Sequence, residues 1–233
     1  MLLMLIFQHR YGISNYSSIG IKELILMKKG IFITVEGTDG SGKTTQINFI
    51  KKYMEEKGYS VVLTREPGGT RIGEKIRTII LDPENKEMDY ITEMLLYASA
   101  RAQIISELVK PAIDEGKVVI CDRYVDSSYA YQGYGRGIDV DLITKINNIA
   151  TRGMMPDITF WFDISPEAAL KRRKTSSSPD RIEREKLDFY NRVYNGYSVL
   201  ANMYPERIKR IDAARDIEQV SMDVKTWLDR ITG

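Results

Sequence analysis

Eight consecutive residues, Gly37, Thr38, Asp39, Gly40, Ser41, Gly42, Lys43 and Thr44, follow the spacing G-x-x-x-x-G-K-[ST]. Glycines let a backbone curl until its N–H groups converge on phosphate oxygens. A helix opening at Lys43 would add the positive end of its dipole. Lys43 is long enough to reach the β- and γ-phosphates of a nucleoside triphosphate, and the Thr44 hydroxyl suits Mg²⁺. The nucleotide-holding set is therefore Gly37 through Thr44 together with Thr45. Two further charged turns could complete a phosphate site. In Cys121-Asp122-Arg123-Tyr124, Asp122 suits a divalent cation and Arg123 a phosphate. In Arg65-Glu66-Pro67-Gly68-Gly69-Thr70, Arg65 could hold a second phosphate by a bidentate bond while the glycines let backbone come close. Taken alone, the Arg65 turn reads equally well as a surface turn, and an isolated Asp-Arg pair reads better as a salt-bridged one; at the carboxyl end of a strand beside a phosphate loop the ligand reading of Asp122-Arg123 prevails.

The elements that must position these groups alternate along the chain. Short strands are predicted at 31–36, 61–64, 117–121, 157–162 and 207–211. Helices are predicted at 43–57, 71–81, 87–115 with a kink at Pro111, 139–151, 166–174, 182–203 and 217–231. Strands separated by helices imply a parallel sheet covered on both faces. In such sheets ligands bind beyond the carboxyl ends of the strands. That is where the phosphate loop, Arg65, Asp122 and Arg123 fall. The Ser-rich stretch at 175–178 reads as an exposed loop.

Composition excludes several classes. The chain has 233 residues, 43% apolar, enough for one domain with a buried core. Lys and Arg number 34 against 32 Asp and Glu, so no charge excess points to nucleic acid. Cys121 and His9 are the only residues of their kinds, which excludes an internal disulfide and a Cys/His zinc site. That usage fits a reducing cytoplasm. No run approaches the roughly 20 apolar residues that span a bilayer. The apolar start, residues 1–7, lacks the flanks of a signal peptide. Residues 1–26 are expected to be an extension outside a domain at 27–233. A guanine-reading N-K-x-D sequence is absent, which argues against a GTPase.

Taken in order, the run from Val35 to Thr45, the Arg65-to-Thr70 turn, Asp122-Arg123-Tyr124, Tyr131-Gln132-Gly133 and Asp180-Arg181-Ile182-Glu183 resemble the motifs of thymidylate kinases. The likeness spans about 30–230. It implies a P-loop fold with a five-stranded parallel sheet, Mg-ATP and dTMP as substrates, a lid at about 171–183 and a homodimer. By the same resemblance, Arg65 and Arg123 would hold the dTMP phosphate and Asp39 would lie near the sugar 3′-hydroxyl. Tyr97 and Arg101, four apart on one helix face, would stack on the base and donate to thymine O4. Ser127 and Gln132 would complete the nucleoside pocket, and Tyr131 would leave little room for a ribose 2′-hydroxyl. Gly40 stands where some relatives carry a loop arginine. The catalytic cation is therefore expected from the lid, among Arg172, Arg173, Lys174 and Arg181, with Arg173 and Arg181 leading. Two other readings share the phosphate loop: a kinase for another nucleotide or nucleoside, and a regulatory ATPase with no small-molecule acceptor.

Overall fold

A computed structural model describes residues 29–173 and 179–233. The expected extension at 1–26 and the stretch 174–178, with Lys174, lie outside them. Five strands form one parallel sheet: β1 Ile31–Glu36, β2 Val61–Arg65, β3 Val118–Asp122, β4 Ile158–Asp163 and β5 Ile208–Asp212. Their order is β2-β3-β1-β4-β5. The chain winds outward in both directions from β1, so the strand order reverses there. In open parallel sheets that crevice is where ligands bind.

Alternation along the strands explains the two cores. Ile31, Ile33 and Val35 of β1 and Phe160 and Phe162 of β4 face one side. There they meet Ile50 and Met54 of α1 (Lys43–Glu56) and Val224 and Leu228 of the C-terminal helix (Ile217–Thr232). Phe32 and Val119 face the other side, against Ile104, Ile105 and Val109. Trp161 also lies on that side, against Phe189, Val193 and Tyr197.

Between these strands run α2 (Arg71–Leu81) and α3 (Tyr90–Ile104). The expected helix at 87–115 begins at Tyr90 because the Asp89 carboxylate caps it, accepting from the N–H groups of Ile91 and Thr92. Ahead of Pro111 the coil widens to a π-type turn at Ile105–Val109 before α4 (Lys110–Asp114). Proline has no N–H and crowds the carbonyl four residues back, and the wider turn absorbs both. A short helix, α5 (Val125–Ser128), and a second π-type turn (Tyr129–Gly135) follow β3. Then come α6 (Val140–Thr151), α7 (Pro166–Arg172), α8 (Leu187–Met203) and α9 (Ile217–Thr232). The helix expected from 182 starts only at Leu187. Asp180 and Glu183 instead bond each other's backbone N–H groups, at 2.8 and 3.1 Å, and close a turn.

A buried ion pair holds α5 to the sheet. Arg207 donates to both oxygens of Asp126, at 2.6 and 2.8 Å, and to Thr159 Oγ1 at 2.8 Å. Asp126 is 1% exposed. Removing one partner of such a pair costs about 3–5 kcal/mol, because the other charge is left uncompensated. Arg207→Met should therefore lose about that much in urea unfolding, and adding Asp126→Leu should recover most of it.

Candidate active site

The strand register brings the charged residues together. Asp122 pairs with Val35 on one side and with Arg65 on the other, so β1, β2 and β3 end level. The phosphate loop springs from β1 with Gly37, Gly40 and Gly42 all at positive φ. A residue with a Cβ resists that region. Lys43 is buried and folds back on the loop, donating to Thr38 O at 3.1 Å and to Asp39 Oδ1 at 3.4 Å.

Arg123 is the hinge of the site. It has φ 70°, one of two non-glycine residues at positive φ among the described residues. Its N–H is held by Val35 O at 2.9 Å. Its guanidinium crosses β1 to donate to Gly37 O and Asp39 Oδ1, both at 2.7 Å. The face of that group lies 5.2 Å from the Tyr131 ring centroid. Burial disfavours charge on Asp39, but Arg123 and then Lys43 outweigh it and hold the carboxyl well below its usual range. Burial lowers the Lys43 pKa, and Arg123 adds to that effect.

One cleft beside this cluster is lined by Asp39, Arg65, Tyr97, Arg101, Arg123, Ser127, Tyr131 and Gln132. Every residue expected to touch the acceptor nucleotide thus borders one space. Most of them already hold protein partners, and two of these bear directly on a ligand. Arg65 pairs with Glu74 at 3.0 Å. Arg101 is 1% exposed and has all its N–H groups committed. It donates to Glu66, Ser128, Asn147 and Tyr124 O, and its NH2 lies 2.6 Å from Glu66. A base carbonyl would have to share one of these donors.

The lid arginines differ in place. Arg181 donates to Ile80 O at 2.8 Å and lies 2.6 Å from Glu93. Arg173 lies 3.9 Å from Glu183 and is hydrogen-bonded to Tyr190, with no carboxylate in close contact among the described residues. Of the lid segment, Asp180 and Ile182 border the acceptor cleft.

Thr44 is exposed, and Asp122 Oδ1 is buried with no hydrogen-bond partner among the described residues. A carboxylate oxygen so placed at the strand ends beside the phosphate loop fits a hard cation.

Several features escaped the sequence. A second cleft lies across Gly40 and Gly42, bordered by Arg172 and by the segment after β5 from Ala213 to Met222. Arg172 ties the two together by donating to Ala213 O at 2.6 Å. Glu93 and Glu36, both wholly buried, organise neighbours drawn from distant segments.

A family model described as Thymidylate kinase matches residues 35–224. The chain belongs to the thymidylate kinase family. A thymidylate kinase of Thermoanaerobacter sp. (strain X514) is 50% identical over 196 residues, 84% of this chain and 96% of that protein. One from Clostridium novyi (strain NT) is 50% identical over 204 residues, 87% of this chain and 100% of that protein. The crystal structure of thymidylate kinase from Ehrlichia chaffeensis matches with a TM-score of 0.71 at 36% identity, covering 86% of this chain and 98% of that one. The thymidylate kinase match begins inside β1 and ends inside α9, so it takes in both clefts and the lid segment. No helix among the described residues is long and apolar enough to cross a membrane.

Glu36 closes β1 and has 0% exposure. It accepts from Tyr124 N at 2.8 Å, Ser127 Oγ at 2.6 Å and Tyr197 OH at 2.7 Å. Burial, with Asp126 adding, pushes its pKa up to about 7, against the opposing pull of Ser127, Arg123 and Tyr197. A carboxyl raised on folding favours the folded state at low pH. That contribution is complete below its unfolded value and is lost as pH rises through about 7. Glu36→Gln removes this titration. The melting temperature of the parent relative to Glu36→Gln should therefore fall between pH 5 and pH 8. A difference that stays flat across that range would contradict the assignment.

Proposed function

We propose that this protein is a thymidylate kinase that transfers the γ-phosphoryl group of ATP to dTMP, giving ADP and dTDP on the route to dTTP. One observation carries the reading beyond family membership. Arg123 bridges the phosphate loop and the acceptor cleft, touching Gly37 and Asp39 while its face lies on Tyr131. A cation at that junction serves a reaction between two phosphates.

The acceptor is an oxygen of the dTMP phosphate, already anionic, so no general base is required. It attacks the γ-phosphorus in line, the bond to the ADP oxygen breaks, and no enzyme intermediate forms. Arg65 and Arg123 hold the dTMP phosphate, and Asp39 orients the sugar. Tyr97 stacks on the base, and Arg101, Ser127 and Gln132 meet its polar edge. Tyr131 fills the space a ribose 2′-hydroxyl would need. Gly37 through Thr45 wrap the ATP phosphates, with Lys43 drawn from Asp39 onto them. The ATP nucleoside occupies the second cleft beside Arg172. Thr44 and Asp122 would hold Mg²⁺, which when bound neutralises phosphate charge.

Arg173 is the better lid cation. A side chain at Gly40 would collide with the Ala169 carbonyl oxygen, and its Cβ would stand 3.1 Å from Arg173 N. The end of α7 therefore rests on the phosphate loop. Arg181, committed to Glu93 and Ile80, serves more as a latch. A homodimer is supported by exposed apolar side chains on neighbouring helices: Ile72 and Ile79 on α2, Ile91 and Leu95 on α3, Leu142 and Ile149 on α6. The site of action is the cytoplasm.

An ATP-consumption assay over a panel of nucleoside monophosphates tests the reading. dTMP should be the best acceptor, dUMP weaker, dCMP and the purines poor. ATP hydrolysis indifferent to every monophosphate would overturn it in favour of a regulatory ATPase. Lys43→Ala should lower kcat by about 10²-fold or more, while calorimetry finds dTMP affinity retained. Arg173→Ala should lower kcat by about 10³-fold with little change in the KM for dTMP. Arg181→Ala should cost much less in kcat.

A further inference from the structure

Glu93 sits one helical turn before Tyr97 on α3, on the same face. It is 0% exposed, yet four nitrogens crowd it. Gln132 Nε2 donates to Oε1 at 2.9 Å. Arg136 donates through Nε at 3.2 Å and NH2 at 3.1 Å. Arg181 NH2 lies 2.6 Å away. Burial disfavours the charge, but Arg136, then Gln132 and Arg181, more than offset it and hold the pKa below the usual carboxylate value. An ionised carboxylate can only accept hydrogen bonds. The amide of Gln132 must therefore turn its NH₂ toward Glu93. Its carbonyl oxygen, Oε1, is left over and accepts no hydrogen bond among the described residues. Gln132 borders the acceptor cleft beside Tyr97.

We propose that Glu93 is a positioning residue for base selection, fixing the Gln132 amide so that the cleft meets an acceptor and not a donor. The inference rests on the dTMP reading above. Thymine and uracil carry a proton on N3, which such an acceptor can receive. Cytosine has a lone pair at N3, and two facing acceptors repel. An inverted amide would offer NH₂ to the cleft and reverse this preference. Glu93 itself does not line the cleft, so it acts through Gln132.

The test compares kcat/KM for dTMP, dUMP and dCMP in four proteins: the parent, Glu93→Gln, Gln132→Leu and the double variant. Glu93→Gln is isosteric but can donate, so the Gln132 amide is no longer forced. The dTMP-to-dCMP ratio should fall on the order of tenfold, the scale of one base contact. The dTMP-to-dUMP ratio should hold, because both bases carry the N3 proton. Gln132→Leu should lower the dTMP-to-dCMP ratio similarly, and adding Glu93→Gln should lower it no further. Equal losses for dTMP and dCMP in Glu93→Gln would make Glu93 a structural prop and overturn the proposal. So would a further fall in the ratio in the double variant. Gln132→Leu with an unchanged ratio overturns it even where Glu93→Gln does not fold. A parent enzyme that does not prefer dTMP to dCMP would refute the dTMP reading itself.

Discussion

A carboxylate sealed from water must be met by donors or surrender its charge. Glu36 is such a group, and its donors come from the turn after β3, from α5 and from α8. One side chain therefore fastens the end of the central strand to three segments, the most distant 161 residues away. With Tyr124 N captured, the preceding residue has little choice of backbone. Arg123 takes the left-handed conformation, which costs a residue with a Cβ roughly 1–2 kcal/mol. From that position its guanidinium reaches Gly37 and Asp39. The cation shared by the phosphate loop and the acceptor cleft thus stands on a turn that this carboxylate pins.

The three central strands were legible because strands buried on both faces read as apolar runs. Four strands end one residue later than expected, at Arg65, Asp122, Asp163 and Asp212. Ladder bonding carries each strand one step past its apolar stretch, and those last charged side chains stand at the carboxyl edge. Arg65, Asp122 and Arg123 were legible as charges at that edge, whereas Tyr97, Arg101, Ser127, Tyr131 and Gln132 were named only through the resemblance to thymidylate kinases. The π-type turn at Tyr129–Gly135 was not legible, since a coil of that width has no 3.6-residue period to detect. It nevertheless carries Tyr131 and Gln132. Glu93 looked like any carboxylate on a helix, because Gln132 and Arg136 lie 39 and 43 residues further on. Arg172 gave no sign of Ala213, 41 residues away. Such pairings exist only once the chain is folded.

The two halves of the lid segment are anchored differently. Beyond residue 178 it is fixed by Arg181 to Ile80 and Glu93 and by the reciprocal bonds of Asp180 and Glu183. Before residue 174 it is the end of α7, fixed by Arg172 to the carbonyls of Ala213 and Ala214. One anchor borders the cleft lined by Asp39 and Tyr97, and the other the cleft across Gly40 and Gly42. Each cleft therefore borders a different root of the same segment.

The contact between Gly40 and α7 also limits where a cation can be placed. An arginine in the phosphate loop at position 40 would need a side chain where this chain has a glycine at φ 90° pressed against the Ala169 carbonyl. A lone Gly40→Arg replacement would lift the helix off the loop and disturb Arg173 with it. The loop and the helix end therefore behave as one unit of substitution: a side chain at position 40 is accommodated only if the end of α7 changes in concert with it.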